Sequence, residues 1–423
     1  MKNTVYENLN ESVFFYEHSS GLKVYMVTKP GFKKFCAGFS THFGSIDNTF
    51  VPIGENEMET VPDGVAHFLE HKVFEQENGE VIFETFARDG ASANAYTSFN
   101  LTNYYFWATD NYEKNLETLI RFVQSPYFTE ENVKKEQGII GQEIGMYDDN
   151  PGWRCYFNML QGMYKNHPVR LDIAGTVQTI SEITEKTLYK CYNTFYHPSN
   201  MYLCIVGDFK PEKIIQVIDK TLKPAKKEEP IPREYEDEPR GAYEHIKVQN
   251  LPVSSPVFSI GFKDSAILDC TNLEKRKAVM DIALYILFGK SSQCDAVLYE
   301  NKDINGHLSF DFTCEDSTYA FAEICGESDN PEKAGNIILE MAEKAEFSND
   351  EFKAGKNAVY GKFLSTFDDP EDYMQNLVRT YTVGLDMFKL AQEYQNATID
   401  DVKKICKEIF TKDNYCLSII KNK

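Results

Sequence analysis

The chain of 423 residues contains no apolar run approaching eighteen, so it offers no candidate membrane-spanning helix. Its first twenty residues, MKNTVYENLNESVFFYEHSS, lack the basic and then apolar stretch of a signal peptide. The ten cysteines form no CxxC and no close pair, which argues against a thiolate zinc cage and against a disulfide framework. Reduced, mostly buried thiols in a cytoplasmic protein are the expectation. Positive charge is scarce: 44 Lys and Arg stand against 65 Asp and Glu, a formal net charge of -21. A phosphate backbone attracts the opposite sign, so no nucleic-acid partner is expected. What is present, 42% hydrophobic and 26% charged residues, is the composition of a globular protein long enough for two or three domains.

Strand-like runs come first, LKVYMVTKP and KKFCAGFSTHFGS, parted by a turn at Pro30 and Gly31. A helix is predicted from about Gly64 to Phe74, then an aromatic and β-branched stretch, SANAYTSFNLTNYYFWAT. Helical spacing returns in NYEKNLETLIRFVQ, in TEENVKKEQGIIGQEIGMY after a Thr129 cap, and in ITEKTLYKCYNTFY before the strand MYLCIVGDF. Between residues 223 and 241 the chain is charged, carries four prolines and has no apolar stripe, the composition of a linker. Strands and helices then recur in a similar order. The expectation is an α+β protein of two related α/β-sandwich domains, residues 1–222 and 242–423, each a mixed sheet with helices packed on it.

The stretch HFLEH carries the chemistry. On a helix His67 and His71 lie about 40° apart and Glu70 about 60° to the other side of His67, so all three share a face. Two imidazoles one turn apart can hold a zinc ion, and the adjacent carboxylate can accept a proton from water. This is the inverted form of the HExxH zinc helix. By itself the pattern also suits a polar helix turn, so a third ligand decides.

The helix after Thr129 offers candidates. Glu136 and Glu143 lie seven apart and therefore within about 20° of one another, flanked on one side by Val133, Ile140 and Ile144. Carboxylates on a semi-buried face need a cation or donors. Gly138, Gly141 and Gly145 form a bare stripe on the opposite side; each costs about 1 kcal/mol of helix stability relative to alanine. A neighbour packed closely behind them, such as a sheet, is the expected compensation.

HFLEH followed by EQGIIGQE resembles the pitrilysin/insulinase family of zinc peptidases, the inverzincins, and within it the bacterial YmfH-like group of similar chain length. GASANAYTSFNLTNYYF, HPVRLDIAGT and FYHPSNMYLCIVGDF extend the likeness, which is strong over residues 15 to 215 and weaker beyond. The resemblance implies one zinc ion per chain on His67, His71 and Glu143, Glu136 as a supporting carboxylate, and Glu70 as the general base of peptide hydrolysis. It implies substrate binding along the strand through Asn94 and Ala95, with Tyr96 lining the adjacent pocket. It also implies a clamshell built from two such chains.

The second half departs from the family pattern. Active members carry an arginine and a tyrosine in a stretch like L-R-x5-G-Y, whereas LYENKDING has Tyr299 and Gly306 at those positions. The helix KRKAVMDIALYILFG, which corresponds to the zinc helix, has no histidine. A metal-free paralogue supplying the arginine and tyrosine, in a heterodimer, is therefore the expected partner. The alternatives are a non-catalytic scaffold subunit and a metal-binding, peptide-holding protein. His42, His167, His197 and His307 lack partners at metal spacing and are read as structural.

Overall fold

The computed structural model describes residues 1–315 and 318–423. Contacts divide the chain into two units: Met1–Ile144 with Leu171–Tyr235 and Thr366–Thr382, and Gly145–Arg170 with Glu236–Ser365 and Val383–Lys423. The division differs from one at residues 223–241, because the helix Pro370–Thr382 from late in the chain belongs to the first unit and the helix Pro151–Met163 to the second. Each follows its apolar face: Met374 and Val378 of the first would meet a Cβ added at Gly38, and Met159 and Met163 of the second one added at Gly261.

The first unit holds β1 (Lys2–Tyr6), β2 (Glu11–Glu17), β3 (Lys23–Thr28), β4 (Phe35–Thr41), β5 (Thr49–Phe50), β6 (Glu59–Thr60), β7 (Ala91–Thr97), β8 (Thr102–Ala108) and β9 (Met201–Gly207). Seven of these form one sheet in the order β1-β2-β3-β9-β4-β8-β7, with β3 and β9 parallel and every other pair antiparallel. The central strands FCAGFST and MYLCIVG are buried along their whole length, as continuous apolar runs covered on both faces must be. Alternation sorts the covers. Phe35 stacks on Tyr112 of the helix Tyr112–Val123, while Gly38 on the other face meets the helix Pro370–Thr382. β7 ends the sheet order, so one of its edges is outside the ladder.

The second unit holds β10 (Ile246–Asn250), β11 (Val257–Lys263), β12 (Ser309–Glu315), β13 (Tyr319–Glu327) and β14 (Tyr415–Lys421) in the order β10-β14-β11-β13-β12. Here β10 and β14 are parallel, as β3 and β9 are in the first unit, and the rest are antiparallel. Numbered within each unit from β3 and from β10, both five-strand cores read first, last, second, fourth, third. The two units are therefore the same sheet topology twice, each with helices packed on it, which is the α+β pattern expected.

The segment 223–241 is anchored rather than free. Val51 N–H donates to Pro232 C=O at 3.0 Å, and Arg233 bonds the buried Asp47 at 2.5 Å and the His42 carbonyl at 2.6 Å. Further on, Glu238 takes Lys263 Nζ at 2.7 Å and the N–H groups of Asn166 and His167 at 2.7 and 2.8 Å. Its charges thus answer buried charges in the two units, which composition alone hides.

Candidate active site

The helix Val65–Val73 begins after Gly64, whose φ of +90° is left-handed and whose absent Cβ would lie 2.4 Å from Ala174 O. Gly175, at φ +73°, answers it: a Cβ there would lie 2.5 Å from Asp63 O. Two glycines back to back thus set the start of this helix against the AGT stretch, and only glycine fits either place. Val65, Phe68 and Leu69 are buried, which turns His67, Glu70 and His71 to a common face.

The helix Glu130–Asp148 brings its carboxylates to that face. His67 Nε2 lies 3.7 Å from Glu143 Oε1 and His71 Nε2 3.5 Å from Glu143 Oε2. One ligand atom from each of His67, His71 and Glu143 falls within 4.8 Å of the others, the one such group among the described residues. Glu136 Oε1 sits 3.0 Å from His71 Nδ1, so that nitrogen is engaged and Nε2 is left facing Glu143. Behind Glu136, the fully buried Lys72 bonds Glu75 and the Asn132 carbonyl, with Glu136 Oε2 at 3.9 Å. Val133, Ile140 and Ile144 are buried beside the carboxylate face, as expected.

The glycine stripe is a correction. A Cβ at Gly138, Gly141 or Gly145 would meet nothing within 4 Å, so no sheet packs behind this helix among the described residues. Periodicity identifies a bare stripe but carries no information about what lies beyond it. The helix is held from its carboxylate and apolar side instead.

Electrostatics separate the two imidazoles. Burial lowers the His67 pKa to about 4, aided by the charge of His71 and opposed by Glu143 and Glu136, so its ring is neutral. Burial also acts on His71, but the Glu136 hydrogen bond and the charges of Glu70, Glu143 and Glu136 outweigh it and raise its pKa. Burial raises the pKa of Glu70, with Thr97 and His71 opposing. Thr97 Oγ1 donates to Glu70 Oε2 at 2.6 Å, a contact that reading the sequence did not single out.

Asn94, Ala95 and Tyr96 lie on β7, the last strand in the sheet order, whose Thr97 meets Glu70 of the helix Val65–Val73. Asn94 is exposed, and its Oδ1 accepts the Ala95 N–H at 2.8 Å. Tyr96 points to the opposite face of the sheet from Thr97, where its hydroxyl donates to Gln375 at 2.9 Å. Gln375 comes from a helix some 280 residues later, and no local signal links the two. Four other histidines stay apart: His42 follows β4 and donates its N–H to the Asn200 carbonyl, His197 caps a short 3-10 turn, His167 N–H donates to Glu238 at 2.8 Å, and His307 Nδ1 bonds the buried Asp295 at 2.7 Å. All ten cysteines are free and eight are buried.

The family model for insulinase (peptidase family M16) matches residues 50–177, and that for the peptidase M16 inactive domain matches residues 182–359. An uncharacterized zinc protease, YmfH of Bacillus subtilis (strain 168), is 44% identical over 413 residues, covering 96% of each chain. This chain belongs to the M16, or insulinase, peptidase family. The zinc protease PqqE of Helicobacter pylori (strain ATCC 700392 / 26695) is 26% identical over 378 residues, covering 85% of this chain and 83% of that one. The crystal structure of an M16-like peptidase from Alicyclobacillus acidocaldarius matches with a TM-score of 0.91 at 32% identity, over 98% of this chain and 99% of that one. A protease from Helicobacter pylori shares the fold, with a TM-score of 0.84 at 21% identity over 97% and 99% of the chains. No helix among the described residues of this M16 chain is long and apolar enough to cross a membrane.

Proposed function

We propose that this chain is a zinc-dependent endopeptidase hydrolysing short or unstructured peptides. The observation that carries the reading is the convergence of His67, His71 and Glu143 within 4.8 Å, with Glu70 one residue from a ligand and a sheet edge alongside. The donor set fits zinc: two imidazole nitrogens and one carboxylate leave a coordination position for solvent or substrate. The Glu136 bond to His71 Nδ1 fits it too, since ligating histidines are oriented by an acceptor on their other nitrogen. His67, His71 and Glu143 would hold the ion, one per chain.

A bound zinc ion supplies Lewis acidity that polarises a peptide carbonyl and makes water nucleophilic near neutral pH. The rest falls to the chain. Glu70, its pKa raised by burial, takes the proton from the attacking water and passes it to the departing amide nitrogen. The free edge of β7 would offer main-chain groups at Asn94 and Ala95 to an extended peptide once Asn94 Oδ1 releases the Ala95 N–H, and Tyr96, on the sheet face away from Thr97, would border the peptide there. An edge strand accepts only a backbone that is not already paired, which favours unfolded substrates. In the cytoplasm, a metal-free paralogue would contribute the arginine and tyrosine that Tyr299 and Gly306 replace.

Glu70→Gln tests the reading. Zinc content stays at one per chain while hydrolysis, assayed with and without the partner, falls to background. Cleavage at the unsubstituted rate would refute catalysis through Glu70, and no cleavage by the unsubstituted protein with its partner would leave a scaffold or peptide-holding subunit as the reading.

A further inference from the structure

Glu70 shares the helix face of His67 and His71. Its carboxyl is held from the sheet, by Thr97 Oγ1 on Oε2 at 2.6 Å.

The grip is itself supported. Thr97 ends β7 and faces Thr102 across the hairpin, the two hydroxyl oxygens 3.3 Å apart. Thr102 Oγ1 donates to the Phe43 carbonyl at 2.9 Å, so its proton is committed. The single Thr97 proton therefore goes to the nearer acceptor, Glu70. A β-branched side chain in a strand has few χ1 states, so the hydroxyl is delivered from a fixed direction. Ala95 and Thr97 lie on one face of the same strand whose edge is offered to the peptide.

We infer that Thr97 is a positioning residue for the general base: by occupying Oε2 it leaves Oε1 as the atom that takes the water proton, and it ties the base to the strand that holds the peptide. The inference rests on the peptidase reading above and deepens it. No new bond is made or broken; the hydroxyl keeps its proton throughout and Glu70 alone exchanges one.

The test compares Thr97→Val, which keeps the shape and removes the O–H, with Thr97→Ser, which restores the donor, in zinc-loaded protein with its partner. A peptide cleaved by the unsubstituted protein is the probe. The valine variant should lose about 10- to 100-fold in kcat with KM within about twofold, and the serine variant should recover most of that loss. Zinc content and melting temperature should stay close to those of the unsubstituted protein in both. Full kcat in the valine variant, equal losses in both variants, a change confined to KM, or loss of zinc would each overturn the inference. Glu70→Gln run alongside separates the two levels. A dead Glu70→Gln beside a fully active Thr97→Val sinks only the positioning role, whereas an active Glu70→Gln sinks the base assignment itself.

Discussion

Replacing Glu136 by glutamine keeps the shape behind His71 and removes one charge. Burial works against this carboxylate, but the His71 hydrogen bond and the charges of His71 and Lys72 carry its pKa below 4.5, so it is ionised at neutral pH. An amide oxygen can still accept from His71 Nδ1 at the observed 3.0 Å, which leaves the charge as the difference. Partners of this kind change metal affinity by about 10- to 100-fold. Zinc should accordingly bind more weakly by about 1.4–2.8 kcal/mol at pH 8. The pH dependence carries a sign. Glu136 also helps hold a proton on His71 in the metal-free site, raising that pKa. Above the raised pKa both proteins present a neutral ring and the full deficit shows. Below it, the unsubstituted protein must release a proton that the variant holds less firmly, so the deficit narrows. Competition with a chelator of known affinity at pH 8 and pH 6 measures both. Equal affinities at pH 8, or a deficit that widens on acidification, would refute the argument.

Two further outcomes concern the scaffold. Gly64→Ala forces a left-handed φ on alanine and drives its Cβ to 2.4 Å from Ala174 O, so urea unfolding should show a loss of about 2–4 kcal/mol. A loss below about 1 kcal/mol would mean that the Asp63–Gly64 turn can move without cost. Glu323, half-buried with Ser259 Oγ donating to it at 2.6 Å, has a pKa raised by desolvation from 4.5 to about 7. A carboxyl with a raised folded pKa favours the fold below its unfolded pKa and loses that contribution as pH rises through the folded one. The full shift is worth about 3 kcal/mol, and partial exposure reduces it to about 2 kcal/mol. Glu323→Gln should therefore gain about 2 kcal/mol on the unsubstituted protein between pH 5 and pH 8, and parallel stability curves would contradict this.

The ligand geometry was legible because it is a matter of period. Spacings of four and seven put His67 with His71, and Glu136 with Glu143, on single helix faces whatever surrounds them. Which of the two glutamates faces the histidine nitrogens, and which stands behind, came from family likeness and not from spacing. Thr97 was hidden because its role depends on a rotamer and on the start of a helix fixed 33 residues earlier by Gly64. The open face at Gly138 and Gly141 was misread because a small-residue stripe reports what could approach, not what does. The helix Pro370–Thr382 was hidden for a simpler reason: its apolar face fits either sheet in pattern, and only tertiary packing chooses.

The repeated topology sharpens why residues, and not the fold, decide the chemistry. The connection from β4 to β7 carries the histidine helix, and the equivalent connection from β11 to β12 carries the helix Leu273–Phe288. In the first, positions one turn apart are His67 and His71, two donors that share one external acceptor set. In the second, Lys277 and Asp281 stand at the same spacing and bond one another at 2.6 Å, with Tyr394 donating to Asp281 at 2.5 Å. An ammonium and a carboxylate neutralise each other, so the second helix is satisfied from within its own unit. Two imidazoles cannot neutralise each other; one is held neutral and the other draws two carboxylates from a separate helix. The same backbone thus presents an ion pair neutralised within one copy and two imidazoles facing a carboxylate of another helix in the other, and among the described residues only the second arrangement gathers three ligand atoms for one ion.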